Sequence, residues 1–334
     1  MPPYENADTR PHTTNMKEMM TMKNVVKKIG MMLLTMVIVS FFAFLAFQVI
    51  PGDPTIKLLS SDATAEAVAA LRAELGLDRP FFTRYFEWVL HALQGDFGTS
   101  YVYSMPVAQL LNGKLGVTAL LTAIAFVLIV LVSLPVGLFA ASRQGGWLDR
   151  ALTVLGQVVM AVPPFVVGIL LTLVCGLILH WFDPGAFIAP AQSFWSSVGY
   201  LLYPAVAIAL PRIAMTVKML RSSITEELGK DYVRTAYSRG NSPRAALYRH
   251  VLRNAVVPTV AFLAMTVADI VAGSVIIEQV FAIPGIGRLL LTSIANRDFP
   301  VVQAIVVILA LWVVLVNCLA DLLNQRLDPR LRLQ

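Results

Sequence analysis

Long apolar stretches separated by clusters of charge dominate the chain. Six of them approach the roughly 20 residues a helix needs to cross a hydrocarbon core about 30 Å thick. They cover residues 29–50, 115–141, an interval between Arg150 and Asp183, and residues 198–220, 255–277 and 301–320. The first two carry no charged side chain, whereas charges interrupt the fourth and fifth. The pattern predicts an all-α integral membrane protein with about six transmembrane helices.

The polar intervals have a periodicity of their own. Within 51–114, Ala65, Val68, Leu71 and Leu75 share one face before Gly76, and Phe82, Phe86, Val89 and Leu93 form a second stripe ending near Gly95. This spacing predicts two short amphipathic helices. They either pack on the membrane surface and the protein's own spans, or offer a docking surface to an external partner. Within 221–253, Asp231 to Gly240 reads as a short helix with Asp231 as N-cap and Gly240 as terminator. Tyr232, Val233, Ala236 and Tyr237 fall on one face, while Arg234 and Ser238 point elsewhere. Ser242-Pro243 then restarts a helix that runs through Arg249 and Arg253 into the fifth span. Such a basic loop either lies on anionic lipid or seats its short helix in a cleft of a soluble partner, whose movement would tilt the adjoining spans.

Composition sharpens this picture. Hydrophobic residues make up 57% of the 334 positions and charged ones 14%, against about 25% charged in an ordinary soluble domain. The net charge of +6 reports topology and not nucleic-acid affinity. With the N-terminus inside, 17 of the 26 Lys and Arg fall on inner segments and 7 on outer ones, which places both termini in the cytoplasm. The expected division is a disordered tail over 1–22, a first span over 23–50, an extracytoplasmic loop over 51–114 and a permease-type core over 115–334 that includes the cytoplasmic loop 221–253. Met16, Met19, Met20 and Met22 are alternative starts, so residues 1–22 are either disordered or untranslated. The first uncharged run is too long for a signal-peptide core, and Gln48-Val49-Ile50-Pro51 offers no small-residue cleavage site, so it is expected to stay as an anchor. Cys175 and Cys318 lie in apolar runs without metal-ligand spacing and read as small buried hydrophobes.

Chemistry-bearing motifs are sparse. No GxxxxGK[ST] occurs, so the chain is not expected to hydrolyse ATP by itself. Gly285 and Gly287 make a GxG with no preceding strand, which argues against dinucleotide binding. His12, His91, His180 and His250 are scattered and form no metal or hydrolytic motif. Arg212 and Asp269 sit at membrane depth, where a charge costs about 2.5–3.5 kcal/mol on insertion scales. They either face the protein interior as part of a pathway, with or without facing one another, or, for Arg212, snorkel to the interface. Pro135, Pro163, Pro164, Pro204 and Pro211 are expected to kink their spans.

Several ordered segments carry a resemblance. Ile50-Pro51-Gly52-Asp53-Pro54, then Leu75-Gly76-Leu77-Asp78-Arg79-Pro80 and Gly95-Asp96-Phe97-Gly98, are followed by Asp231-Tyr232-Val233-Arg234-Thr235-Ala236 and Arg249-His250-Val251-Leu252-Arg253-Asn254. Phe281 to Gly287 and Leu327-Asp328-Pro329-Arg330 complete the series. Together, from about Lys23 to Arg332, they resemble the permease subunits of ATP-binding-cassette (ABC) importers for dipeptides, oligopeptides and nickel. At the superfamily's Glu-Ala-Ala position stands Arg234-Thr235-Ala236, Gly240 matches, and Leu252-Arg253 replaces Leu-Pro, a departure typical of the peptide and nickel branch. The resemblance implies a type I importer fold in a bacterial or archaeal cytoplasmic membrane. It also implies a second homologous permease, two ATPase subunits that bind the ATP, and an extracytoplasmic solute-binding protein. No cofactor is implied for this chain. Asp231, Tyr232, Arg234, Thr235, Ala236 and Gly240 would form the coupling helix, and peptides would be the cargo, with nickel or a metal chelate as the alternative. An ATP-independent secondary transporter is the rival from another class.

Overall fold

The computed structural model describes residues 28–46, 64–74, 76 and 78–327. The expected tail 1–22, the segment Ile50 to Pro54, Leu75, Leu77 and Asp328 to Arg330 lie outside the described residues. Helices account for most of what is described. They are α1 (Lys28–Ala46), α2 (Ala65–Glu74), α3 (Phe81–Leu93), α4 (Val107–Leu111), α5 (Lys114–Ser142), α6 (Trp147–Ala161), α7 (Pro164–Leu171), α8 (Phe194–Leu228), α9 (Asp231–Ser238), α10 (Pro243–Ala246), α11 (Leu252–Val280), α12 (Ile286–Asn296) and α13 (Phe299–Leu327). A π-helical turn extends α7 over Thr172–Ile178, and another joins α10 to α11 over Leu247–Val251. Among the described residues, five helices are long and apolar enough to cross a membrane, and a sixth crossing exists if the bent pair α6 and α7 is one span.

That bend falls at Pro163-Pro164, where a kink is expected, and is sharper than a kink within one continuous helix. α6 and α7 meet at 94°, because two consecutive prolines hold the chain extended between them. Val162 and Pro163 take ψ of 123° and 141°, as steric clash with a following proline ring requires. Pro164 then occupies the first position of α7, where a missing N–H costs nothing. By contrast Pro135, Pro204 and Pro211 lie inside continuous helices.

α5, α8 and α11 form the centre. Leu121, Ala125 and Ile129 pack with Leu201, Ala205, Ile208 and Ala209, and with Leu263, Ile270 and Ile277. Small residues let these backbones approach, which is how helices associate where lipid removes the hydrophobic driving force. A Cβ at Gly137 would lie 3.0 Å from Leu220 Cδ2, so α5 and α8 are close there. Lys28 pairs with Asp321 at 3.0 Å, which brings the start of α1 and the end of α13 to the same side of the molecule.

α3 corrects the expected stripe. Phe82, Phe86 and Leu93 remain exposed, while Tyr85 is buried with its ring 5.5 Å from Phe41 and 5.6 Å from Phe44 of α1. Its hydroxyl shares a 2.9 Å hydrogen bond with Ser40. Phe81, Tyr85 and Trp88 repeat with helical spacing just as Phe82, Phe86 and Val89 do, and aromatic complementarity with α1 selects the first set.

At the opposite end from the Lys28–Asp321 pair, the fully buried Glu278 holds the turn between α11 and α12. Its carboxylate accepts from Thr118 Oγ1 at 2.6 Å and from the N–H groups of Gly287 at 2.7 Å and Arg288 at 3.1 Å, while Thr118 Oγ1 accepts from Ile286 N–H at 3.0 Å. A carboxylate therefore sits on the N-terminus of α12, where unpaired N–H groups favour an anion. Gly285 and Gly287 are required by space: a Cβ on Gly285 would collide with the Glu278 carboxylate, and one on Gly287 with the backbone of Val275. Asp298 fastens a neighbouring corner, accepting from Ser100 Oγ at 2.5 Å and Tyr101 N–H at 3.0 Å.

Glu278→Ala should strip the buried N–H groups of α12 of their partner and cost about 1–3 kcal/mol. Gly285→Ala should also destabilise, and the double variant should lose less than the sum, because both act on one contact. Thermal melts of the detergent-purified protein read both effects.

Candidate coupling and pathway sites

α9 is built from the ends of two spans. Gly229 closes α8 and Lys230 takes extended geometry as the N-cap of α9, so Asp231 is the first helical residue and not the cap expected from its side chain. An acid in the first turn is still favourable against the helix dipole. At the other end Gly240 adopts φ +85°, the left-handed conformation that terminates a helix. The carbonyl of Ala236 accepts from the Asn241 amide side chain at 3.0 Å and its N–H at 3.2 Å. Ser242 then caps α10, accepting from Ala245 N–H at 3.3 Å, with Pro243 at the first position as the sequence predicts.

Two small side chains seat α9. Val233 and Ala236 are buried, and Val233 joins a cluster with Ala141 of α5, Leu220 and Ile224 of α8, and Leu247, Val251 and Ala255 leading into α11. The helix thus rests on the ends of three spans. Tyr232 and Tyr237, expected on the same face, are instead exposed at its flanks. Tyr232 donates to Glu227 at 2.6 Å and accepts from Asn254 at 3.4 Å, while Glu227 also pairs with Lys230. Partial burial, reinforced by the Glu227 carboxylate, pushes the Tyr232 hydroxyl above its ordinary value, so it remains a donor. Asp231, Arg234, Thr235 and Ser238 face outwards. The Asp231–Arg234 pair at 3.7 Å is almost wholly exposed and worth little, leaving those groups available to a partner.

A second link ties the same region to α6. Arg221 of α8 grips Asp149 with both arms of its guanidinium, Nε to Oδ1 at 2.5 Å and Nη2 to Oδ2 at 2.8 Å, and Gly145 N–H adds a third bond at 2.9 Å. Asp149 is buried. Fork geometry fixes orientation as well as distance, so the entry to α6 and the last turns of α8 are held in one arrangement. An acid in the first turn of α6 was the available signal.

Arg212 and Asp269 do meet, though not charge to charge. Arg212 Nη2 donates to the backbone carbonyl of Asp269 at 3.1 Å and Nη1 to that of Ile208 at 3.5 Å. Arg212 is half-buried with its Nε unpartnered, and the Asp269 side chain is exposed.

Residues 133–333 match the family described as the binding-protein-dependent transport system inner membrane component, and residues 20–122 match the N-terminal region of such membrane components. A probable peptide ABC transporter permease of Sinorhizobium fredii is 35% identical over 308 residues, 92% of this chain and 98% of that protein. A glutathione transport system permease of Salmonella choleraesuis is 32% identical over the same shares. The chain belongs to the family of inner-membrane components of binding-protein-dependent transport systems.

Breaking the Asp149–Arg221 fork should destabilise the protein by about 1–3 kcal/mol. Arg221→Ala should cost more than Asp149→Ala, since it strands the more buried partner, and exchanging the two residues should recover part of the loss. Thermal unfolding monitored by tryptophan fluorescence distinguishes the three variants.

Proposed function

We propose that the chain, as a member of this family, is one of two homologous permease subunits of an ATP-driven importer that moves small peptides across a bacterial or archaeal cytoplasmic membrane by alternating access. Two separate ATPase subunits bind and hydrolyse the ATP, and an extracytoplasmic solute-binding protein delivers cargo. Both termini and α9 lie on the cytoplasmic side. The loop 51–114, with α2 and α3, and the region of α12 lie outside. Residues 115–334 form the permease core, and the segment 221–253 is its coupling loop.

One observation carries the reading. Val233 and Ala236 anchor α9 on the ends of α5, α8 and α11, while Asp231, Arg234 and Thr235 remain outward. A helix so placed works as a coupling helix: its exposed surface sits in a groove of an ATPase, and its buried side chains pass any displacement to three spans at once. Gly240 sets where the helix ends, and Tyr232 braces its start through Glu227. The Asp149–Arg221 fork extends the same displacement to α6.

Peptide cargo is favoured over nickel or a metal chelate by the names of the relatives, of which one is a peptide permease and the other a permease for glutathione, itself a tripeptide. The pathway runs along the face shared by α8 and α11. There Met215, Lys218 and Ser222 are exposed on one helix and Met265 and Asp269 on the other, a mixture of charge and adaptable thioether unsuited to hydrocarbon.

Purifying the tagged chain in gentle detergent tests this reading. The second permease and two P-loop ATPases should co-purify, and Gly240→Trp or Arg234→Glu should release the ATPases while the second permease stays. A Cβ on Gly240 meets open space but its φ of +85° strains any side chain there, so Arg234→Glu, which leaves the backbone as it is, separates loss of the partner contact from loss of the helix end. Retention of the ATPases by both variants, with undiminished uptake, would reject the coupling role of α9. Uptake that persists without ATP would favour a secondary transporter.

A further inference from the structure

Arg212 and Asp269 lie near the middle of α8 and α11. That is the depth at which a charge facing hydrocarbon is least tolerable. They form no direct ion pair: no ion pair or hydrogen bond engages the Asp269 carboxylate among the described residues, and what Arg212 reaches of Asp269 is its backbone carbonyl. A guanidinium carries five N–H donors. Two of its nitrogens touch carbonyls and the Nε has no partner, so donor capacity is left over. Gly273 lies beside it, its absent Cβ placed 3.6 Å from Nη2, and a larger residue there would crowd the guanidinium.

The neighbours make this a surface for varied ligands. Met215 and Met265 flank the two charges and are exposed, and methionine packs against irregular apolar shapes without demanding one of them. A cation and an anion on adjoining helices that are not paired with one another, with adaptable apolar side chains nearby, suit a zwitterion with a variable body. A short peptide has this form, with a terminal carboxylate, a terminal ammonium and side chains of any kind. In an extended dipeptide the two ends lie about 7 Å apart.

We propose that Arg212 and Asp269 form a recognition site for the two charged ends of a short peptide in transit, Arg212 receiving the terminal carboxylate and Asp269 the terminal ammonium. This rests on the peptide reading above and deepens it. Each terminus finds an opposite charge, while Met215 and Met265 offer the peptide's side chains an adaptable surface. Selection therefore acts on the backbone ends and not on sequence.

The test is uptake into proteoliposomes containing the whole importer with its binding protein. Dialanine, dialanine amide and N-acetyldialanine serve as probes, with ATP hydrolysis followed in parallel. The same binding protein is present throughout, so its preferences cancel when each variant is compared with the wild type on the same probe. Arg212→Gln should lower uptake of dialanine and N-acetyldialanine about tenfold, equivalent to one favourable charged contact, and leave the amide unaffected. Asp269→Asn should lower dialanine and its amide similarly and spare N-acetyldialanine. Arg212→Lys should restore part of the carboxylate preference, which a purely structural arginine would not predict. Variants that weaken all three probes alike, or none, would overturn the proposal while leaving peptide import standing. A wild-type importer that takes up none of the three would overturn the peptide reading itself.

Discussion

Hydrocarbon offers no hydrogen bonds, so every backbone group at membrane depth must find its partner within the protein. The helices meet this demand by themselves; the places where the chain leaves a helix meet it with particular side chains. At the turn between α11 and α12 a buried carboxylate takes the free N–H groups of the new helix, and glycines make room for it. Tyr200 supplies the same turn with a donor for the carbonyl of Phe281 at 2.7 Å. At the bend between α6 and α7 the prolines remove donors instead of satisfying them. Glycine, proline and buried acid thus solve one problem in three ways.

The same constraint explains what could be read in advance. Spans announce themselves because a run of about 20 apolar residues has few other uses, and the limits of α9 were visible in Gly240 and in Ser242-Pro243. The kink in the third span was legible in Pro163-Pro164, but its size was not, because an apolar count is blind to direction. The face of α3 was misassigned since two aromatic stripes share one helix and only α1 decides between them. At the candidate sites, Asp149–Arg221 and Thr118–Glu278 pair residues far apart in sequence. Such contacts leave no local signature, and a carboxylate beside a span looks like a topology charge until its partner is seen. Arg212 and Asp269 stood out for the opposite reason, since a charge inside a span contradicts its surroundings.

The described clasps divide between the two ends of α5 and α11. Near α9, the cluster around Val233 and the Asp149–Arg221 fork join α5, α6, α8 and α11. At the other end Glu278 and Thr118 join α5, α11 and α12. α5 and α11 belong to both groups, and tight packing along Leu121, Ile208 and Ile270 fills the length between them. Interiors packed in this way transmit displacement and absorb little of it. A push on α9 therefore has a continuous path to the turn that carries α12.

The exposed charges on α8 and α11 carry one consequence for assembly. Lys218 and Asp269 are open on the surface of the isolated chain, yet both lie within helices long and apolar enough to span a membrane. Facing lipid, each would cost about 2.5–3.5 kcal/mol on insertion scales, a sum comparable to much of a domain's whole stability. Snorkelling relieves a lysine near a helix end, but a short aspartate near the middle of α11 has no such escape. This face is then suited to cover by protein or contact with water, and among the described residues Lys218 and Asp269 stay exposed. The second permease subunit proposed above would supply both, closing the face off from lipid while leaving a polar space between the two chains.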